Sequence, residues 1–223
     1  MSDRAPTTPD KILDLAEAMF AESGYRAVSV RSITRACGVN IAAIHYHFGS
    51  KEALLKQIFA KRSAAINNAR FRLLEACRPG PERPPMLEQI LEAYLRPSLV
   101  LPNGDVGARR FMRLRAILAH EHATLSKGLI SKHFNHVSGT FIGALMKELD
   151  HLPARGVYWR FHFLLGAQYF TLADPGRIQI LSEGACDPAD ADAALAELVA
   201  FTAAGFRAPP ADHHALILGT VLS

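Results

Sequence analysis

Between Ser29 and Ser50 the chain is punctuated at a spacing that leaves room for two short helices and little else. Ser29 can accept from the first open N–H groups of a helix, Gly38 suits a left-handed stop, Asn40 can accept again, and Gly49 stops again. The spacing predicts one helix of about two turns with Val30, Ile33 and Cys37 inward. A second helix, IAAIHYHF, is expected to bury Ile41, Ile44 and Phe48. Two short helices joined by a tight Gly-Val-Asn turn can cross steeply and present the second to a groove.

Helical punctuation continues on both sides. Thr8 and Pro9 form an N-cap and first-turn pair, after which Ile12, Leu15, Ala16, Met19 and Phe20 recur at helical spacing until Gly24. Ser50 caps a long helix that begins KEALLKQIF and is expected to reach the neighbourhood of Cys77. The segment PGPERPP at 79–85 cannot continue a helix. Beyond it, helices are predicted near 86–101, 106–122, 125–150, 154–173 and 190–207, with one turn of helix after Pro175. The sequence shows neither strand alternation nor an internal repeat.

Composition narrows the function classes. The chain of 223 residues is 49% hydrophobic, enough for a generous core. It lacks a run of about 18 uncharged apolar residues and a basic-then-apolar start, so a cytoplasmic location is expected. Its three cysteines, Cys37, Cys77 and Cys186, are scattered and read as reduced thiols. Residues 1–76 carry 11 Lys/Arg against 7 Asp/Glu, whereas residues 77–223 carry 14 of each. The whole basic excess therefore sits where a phosphate-binding module would need it.

At about 100° per residue, the helix over IAAIHYHF turns Ala42, Ala43, Tyr46 and His47 away from its apolar side, with His45 on the flank. Tyrosine and histidine tips can bond phosphate oxygens or base edges, and alanines permit close approach to thymine methyl groups. Lys51, at the start of the next helix, is placed for a phosphate. The bland alternative is that Tyr46 and the histidines finish a small helical core.

The stretch VSVRSITRACGVNIAAIHYHFGSKEALLKQIF at 28–59 resembles the DNA-binding half of the TetR/AcrR family of regulators. In that family a Tyr-His-Phe phrase is followed by x-[ST]-K-x-x-L, and Tyr46, His47, Phe48, Ser50, Lys51 and Leu54 fill those positions. The resemblance implies backbone contacts from Ser29, Arg31 and Arg35, and a major-groove face made of Ala42, Ala43, His45, Tyr46 and His47. The family often has Tyr where this chain has His45. It also implies an all-α fold of about nine helices: a three-helix helix-turn-helix DNA-binding domain at 1–54, a ligand-binding and dimerisation domain at 55–208, and a tail at 209–223. The expected function is that of a regulator, a repressor by family habit, which binds palindromic operator DNA as a homodimer and needs no cofactor.

The dimer surface is expected from the helices at 154–173 and 190–207. In the first, Trp159, Phe163, Gly166 and Phe170 make one arc, and Tyr158, His162, Leu165 and Tyr169 a second. In the other, Leu195, Leu198, Val199, Thr202 and Phe206 make a stripe beside the small Ala203, Ala204 and Gly205. The alternative is burial of these helices within their own chain. FMRL at 111–114, YWRFHFLLGA at 158–167 and AAGFRA at 203–208 are similar to fatty-acid-responsive repressors of the same family, which implies a long-chain fatty acid or acyl-CoA as effector. Phe111, Leu114, Leu118, Phe134, Phe141, Trp159 and Phe163 could line its cavity or could be plain core, and Arg115 could meet a carboxylate or reach out to solvent. The rival class is a helical metal protein or enzyme using His120, Glu121, His122, His133 and His136. Their spacing is loose, and neither H-E-x-x-H nor G-x-S-x-G occurs.

Overall fold

The structure is a computed structural model that describes residues 8–77, 87–100, 106–173 and 176–210, without the side chains of Val106, Ala108 and Arg109. The PGPERPP loop and the apolar end of the tail lie outside the described residues. Ten helices and no strand are present among those described. They are α1 Thr8–Ser23, α2 Val30–Cys37, α3 Ile41–Phe48, α4 Lys51–Ala76, α5 Leu87–Leu99, α6 Val106–Glu121, α7 Ala123–Glu148, α8 Ala154–Ala173, α9 Arg177–Leu181 and α10 Ala191–Arg207. The turn of helix after Pro175 is α9, which brings the count to one more than the nine expected.

The caps expected at Ser29, Asn40 and Ser50 form as hydrogen bonds, while Thr8, expected as a cap, is itself the first described residue of α1. Ser29 Oγ accepts from Ser32 N–H at 3.0 Å while Ser32 Oγ accepts from Ser29 N–H at 3.0 Å, so two serines build the reciprocal box that Ser and Glu usually make. Gly38 ends α2 at φ 67°, and Val39 N–H reaches back to the Thr34 carbonyl at 3.0 Å. Asn40 Oδ1 accepts from Ala42 N–H and Ser50 Oγ from Ala53 N–H, each at 3.1 Å. Both short helices are thus stopped and restarted by side chains rather than by packing alone.

Ile12, Ala16, Phe20, Ile33, Ile44 and Leu54 are fully buried and knit α1 to α4 together. Burying each such side chain stabilises the fold by about 1.5–3 kcal/mol. The same apolar cluster continues through Phe59 into Phe111, Phe134 and Phe141, so α4, roughly 39 Å long at 1.5 Å per residue, belongs to both halves. Two expected inward positions shift. Leu15 is only half-buried while Leu13 and Glu17 are buried, and Ile41 is 39% exposed because the first turn of α3 stands clear of α2.

Two polar contacts tie the halves. Glu17 of α1 is 1% exposed and accepts from Arg62 Nε at 2.7 Å, with Arg62 Nη2 also at 2.7 Å. The Arg62 guanidinium lies against Gly107 of α6, where a Cβ would meet it at 2.5 Å. One ion pair therefore holds α1, α4 and α6. At the far end of α6, Glu121 Oε2 accepts from Arg26 N–H at 3.1 Å. Its carboxylate also fills the space beside Gly24, which sits at φ 87°.

Candidate nucleic-acid interface

On α3, Ile44 (0% exposed) and Phe48 (6%) anchor one side of the helix, and the other side is open. Ala42, His45, Tyr46 and His47 are exposed, Ala43 is half-buried, and Tyr46 at 85% is the most exposed of the large apolar side chains described. The rings of Tyr46 and His47 meet edge-on at 5.0 Å. Ser29, Arg31 and Arg35 are exposed on the neighbouring α2. A helix anchored on one side and open on the other has the geometry to enter a major groove.

Two candidates are engaged within the chain. His45 Nδ1 lies 2.9 Å from the Gly49 carbonyl, which calls for an Nδ1–H and turns the ring toward the helix end. Lys51 is half-buried, its ammonium 4.4 Å from the Tyr25 ring centroid and donating to the Arg26 carbonyl at 3.4 Å. Burial lowers its pKa, with Glu121 pulling the other way. The Lys51 head therefore ties the 24–28 turn to α4 and keeps two further N–H donors.

In the C-terminal half, Phe111, Leu114, Leu118, Phe134 and Phe141 are buried with Arg115. Phe111 packs edge-on to Phe59 at 4.9 Å and stacks with Phe134 at 6.4 Å. Trp159 and Phe163 do not join them. They are 51% and 62% exposed, stacked on each other at 5.7 Å on the outside of α8. The inward stripe of α8 is Val157, Phe161, Leu164 and Gln168, offset from both arcs drawn from the sequence. Tyr158, Phe170 and, on α10, Phe201 are also more than half exposed, while Leu195, Leu198, Thr202 and Phe206 face the chain's own interior. An open hollow of about 760 Å³ lies elsewhere, between α1, α6 and the end of α8, lined by Glu22, Arg110, Arg113, Thr171 and Leu172 among others.

Of the histidines of the metal reading, His120 and His122 are exposed and the other two lie beside aromatic rings. His133 lies against Phe59 at 6.5 Å and His136 against Phe71 at 5.8 Å. Glu121 is spent on Arg26. Among the described residues, no group of three or more His, Cys, Asp or Glu is placed to hold a metal, and no helix is long and apolar enough to cross a membrane.

The sequence profile of the family described as bacterial regulatory proteins, tetR family, matches residues 12–58, and that of the tetracyclin repressor-like, C-terminal domain matches residues 92–205. The chain belongs to the TetR family. The TetR relatives it resembles are transcriptional regulators, not enzymes. UidR of Escherichia coli K12 is 34% identical over 73 residues, 32% of this chain and 36% of UidR. The repressor KstR2 of Rhodococcus jostii RHA1 is 42% identical over 48 residues, 22% of this chain and 24% of KstR2. The chain thus aligns with about a third or less of these curated relatives' own length. Solved TetR-type structures align over nearly the whole chain: KstR2 of Mycobacterium tuberculosis at TM-score 0.66, 16% identity and 92% of this chain against 97% of that one. The fatty acid degradation regulator FadR of Bacillus halodurans aligns at 0.64 and 18%, covering 92% and 99%. At such identities the likeness establishes the shared TetR fold.

Sequence reasoning does not find Arg70 and Gln168, both 1% exposed in the TetR C-terminal core. A signal existed for Arg70. Phe59, Ser63, Ile66 and Arg70 are all buried at spacings of four, three and four, so the arginine continues the inward stripe of α4.

Proposed function

We propose that this TetR-family chain is a ligand-responsive repressor that reads a two-fold operator as a homodimer and releases it when a lipophilic effector enters the C-terminal half. The observation that carries the DNA-reading part is the α3 face, with Tyr46 and His47 projecting and Ile44 and Phe48 anchored behind them. Ala42 and Ala43 let that face approach the bases, and Ser29, Arg31 and Arg35 meet the backbone. His45 and Lys51 act by holding the ends of α3 and α4, given their partners within the chain.

Homodimerisation is supported by the outward aromatics of α8 and α10. An exposed set comprising Tyr158, Trp159, Phe163, Phe170 and Phe201 is more apolar surface than a monomer usually leaves in water. A second copy covering it would set two α3 helices at a fixed spacing. The effector is read as a long-chain fatty acid or acyl-CoA, supported by the aromatic interior around Phe111, Phe134 and Phe141 and by the fold shared with the fatty acid degradation regulator FadR of Bacillus halodurans.

Transmission needs a part that touches both halves, and α6 does so at both ends, through Gly107 on Arg62 and Glu121 on Arg26. Effector binding that moves α6 changes how α1 and the turn before α2 are held. A coupling of about 1–3 kcal/mol would weaken operator binding about 5- to 150-fold. The test is a gel shift with DNA from the gene's own upstream region. Wild type is expected to bind in a salt-sensitive manner, and Tyr46→Ala to lose about 1–3 kcal/mol of affinity while its thermal unfolding is unchanged. Full affinity in Tyr46→Ala would show that α3 reads with another face.

A further inference from the structure

Two arginines stand inside the C-terminal bundle with no carboxylate paired to either among the described residues. Arg70 on α4 is 1% exposed and Arg115 on α6 is 6% exposed. Arg70 Nε donates to the Tyr94 carbonyl at 2.8 Å and Nη2 to Ser98 Oγ at 3.0 Å, and its guanidinium lies 3.8 Å from the Tyr94 ring centroid. Its Nη1 is buried without a partner. Arg115 has less. Nη1 meets only the Met112 sulfur at 3.3 Å, the guanidinium lies 4.0 Å from the Phe134 centroid and 4.9 Å from that of Tyr169, and Nε is buried unpartnered. On the facing α8, Gln168 Nε2 is a third buried donor without an acceptor.

The two arginines and the rings of Tyr94 and Tyr169 form one cluster, and Gln168 adjoins Tyr169 in the chain. Burial depresses the pKa of both arginines, Tyr94 and Tyr169 act on each, and the charge of Arg70 further lowers Arg115. A guanidinium keeps its proton even so. The bundle therefore encloses two positive charges softened only by ring faces and neutral acceptors, an arrangement strongly unfavourable unless something negative completes it.

We infer that Arg70, Arg115 and Gln168 form a binding site for the carboxylate of an apolar acid. This rests on the reading of the C-terminal half as the effector-binding part and narrows it to free acids. A planar carboxylate matches the guanidinium fork, and its single charge is less costly to bring among aromatic rings than a phosphate dianion. The apolar body lies against Phe111, Phe134 and Phe141. A thioester carbonyl carries no charge and would leave both arginines uncompensated. The hollow lined by Arg110, Arg113, Thr171 and Leu172 lies on the same two helices, α6 and α8, with Glu22 and Asp187 balancing its two arginines. Arg115 and Glu121 share α6, so an acid that draws Arg115 acts on the helix that grips the Arg26 N–H.

The experiment is calorimetric titration and thermal unfolding of the purified full-length protein with oleate, octanoate and cholate, against oleyl alcohol, octanol, oleoyl-CoA and inorganic phosphate. At least one acid is expected to bind and raise the Tm, with its alcohol about 10- to 100-fold weaker and phosphate without effect. Arg115→Met should abolish the acid's shift while leaving the unliganded Tm unchanged or higher, since an unpaired buried charge has gone. Arg70→Met should weaken the acid as well. Equal binding of acid and alcohol, binding of oleoyl-CoA as tight as oleate, a shift by phosphate alone, binding by none of the acids, or wild-type acid affinity in both variants would overturn the site. The acid against alcohol contrast is read on wild type, so it stands even if a variant unfolds. A gel shift on the same preparation separates the two readings: operator binding with no acid bound removes this site alone, acid bound without any change in operator binding removes the effector reading it rests on, and absence of operator binding removes the regulator.

Discussion

Glycine does two different jobs at the edge of the DNA-reading half. Gly38 sits at φ 67° with nothing within 4 Å of where a Cβ would be, so its only demand is conformational. Gly24 sits at φ 87° and in addition a Cβ there would run into the Glu121 carboxylate. Gly38→Ala is expected to cost about 1–2 kcal/mol, the strain of a left-handed alanine. Gly24→Ala adds a collision to the same strain and should cost about 2–4 kcal/mol. Denaturant unfolding of both variants checks this, and equal costs would show that Glu121 does not wedge the turn. The stop at Gly38 is legible from sequence because its cause is local. The wedge at Gly24 is not, since Arg26 and Glu121 are 95 residues apart in the chain.

Among elements, the junction of α1, α4 and α6 depends on Glu17 and Arg62. Burial pushes the Glu17 carboxyl above the usual carboxylate range, and the Arg62 bonds pull it back only in part. A carboxyl with a raised folded pKa contributes stability fully below its unfolded pKa and loses that contribution as the pH rises through the folded value. Removing the cation raises the pKa further. Arg62→Met is therefore expected to destabilise by about 2–3 kcal/mol near neutrality, between the values for exposed and buried pairs. The loss should shrink in acid, as Glu17 takes up a proton. Unfolding curves at the two pH values test it, and a pH-independent loss would mean that Arg62 acts through packing on Gly107 alone. The sequence placed every helix among the described residues to within a few residues, because caps, glycines and apolar spacing are local signals. It did not show that Glu17 is interior, nor that the strongest aromatic arc of α8 faces out. A helix apolar all round does not declare which side meets its own chain.

At the scale of the molecule, the proposed homodimer would form on the outer face of α8 and α10. Phe163 is 62% exposed and stacks on Trp159 without touching the buried stripe of α8. Phe163→Glu should therefore leave the monomer fold intact while placing a charge in the dimer surface. It is expected to convert the protein from dimer to monomer in light scattering, with operator affinity lost and far-UV circular dichroism retained. A Phe163→Glu protein that stays dimeric would move the interface elsewhere. The positive charge in the first third of the sequence suits this arrangement, since two copies would bring both basic halves to one face of a duplex.

The sequence alone determined the all-helical class, the capped α2–α3 pair and the outward side of α3 bearing Tyr46 and His47. Each of these follows from side chains within one or two helical turns of each other. Only the tertiary structure decided that His45 and Lys51 are engaged within the chain, that Trp159 and Phe163 lie outside while Gln168 lies inside, and that Arg70 and Arg115 share an interior without a counter-charge. These are properties of which helix faces meet, and a helix face is chosen by the total apolar area and charge it can satisfy against distant partners.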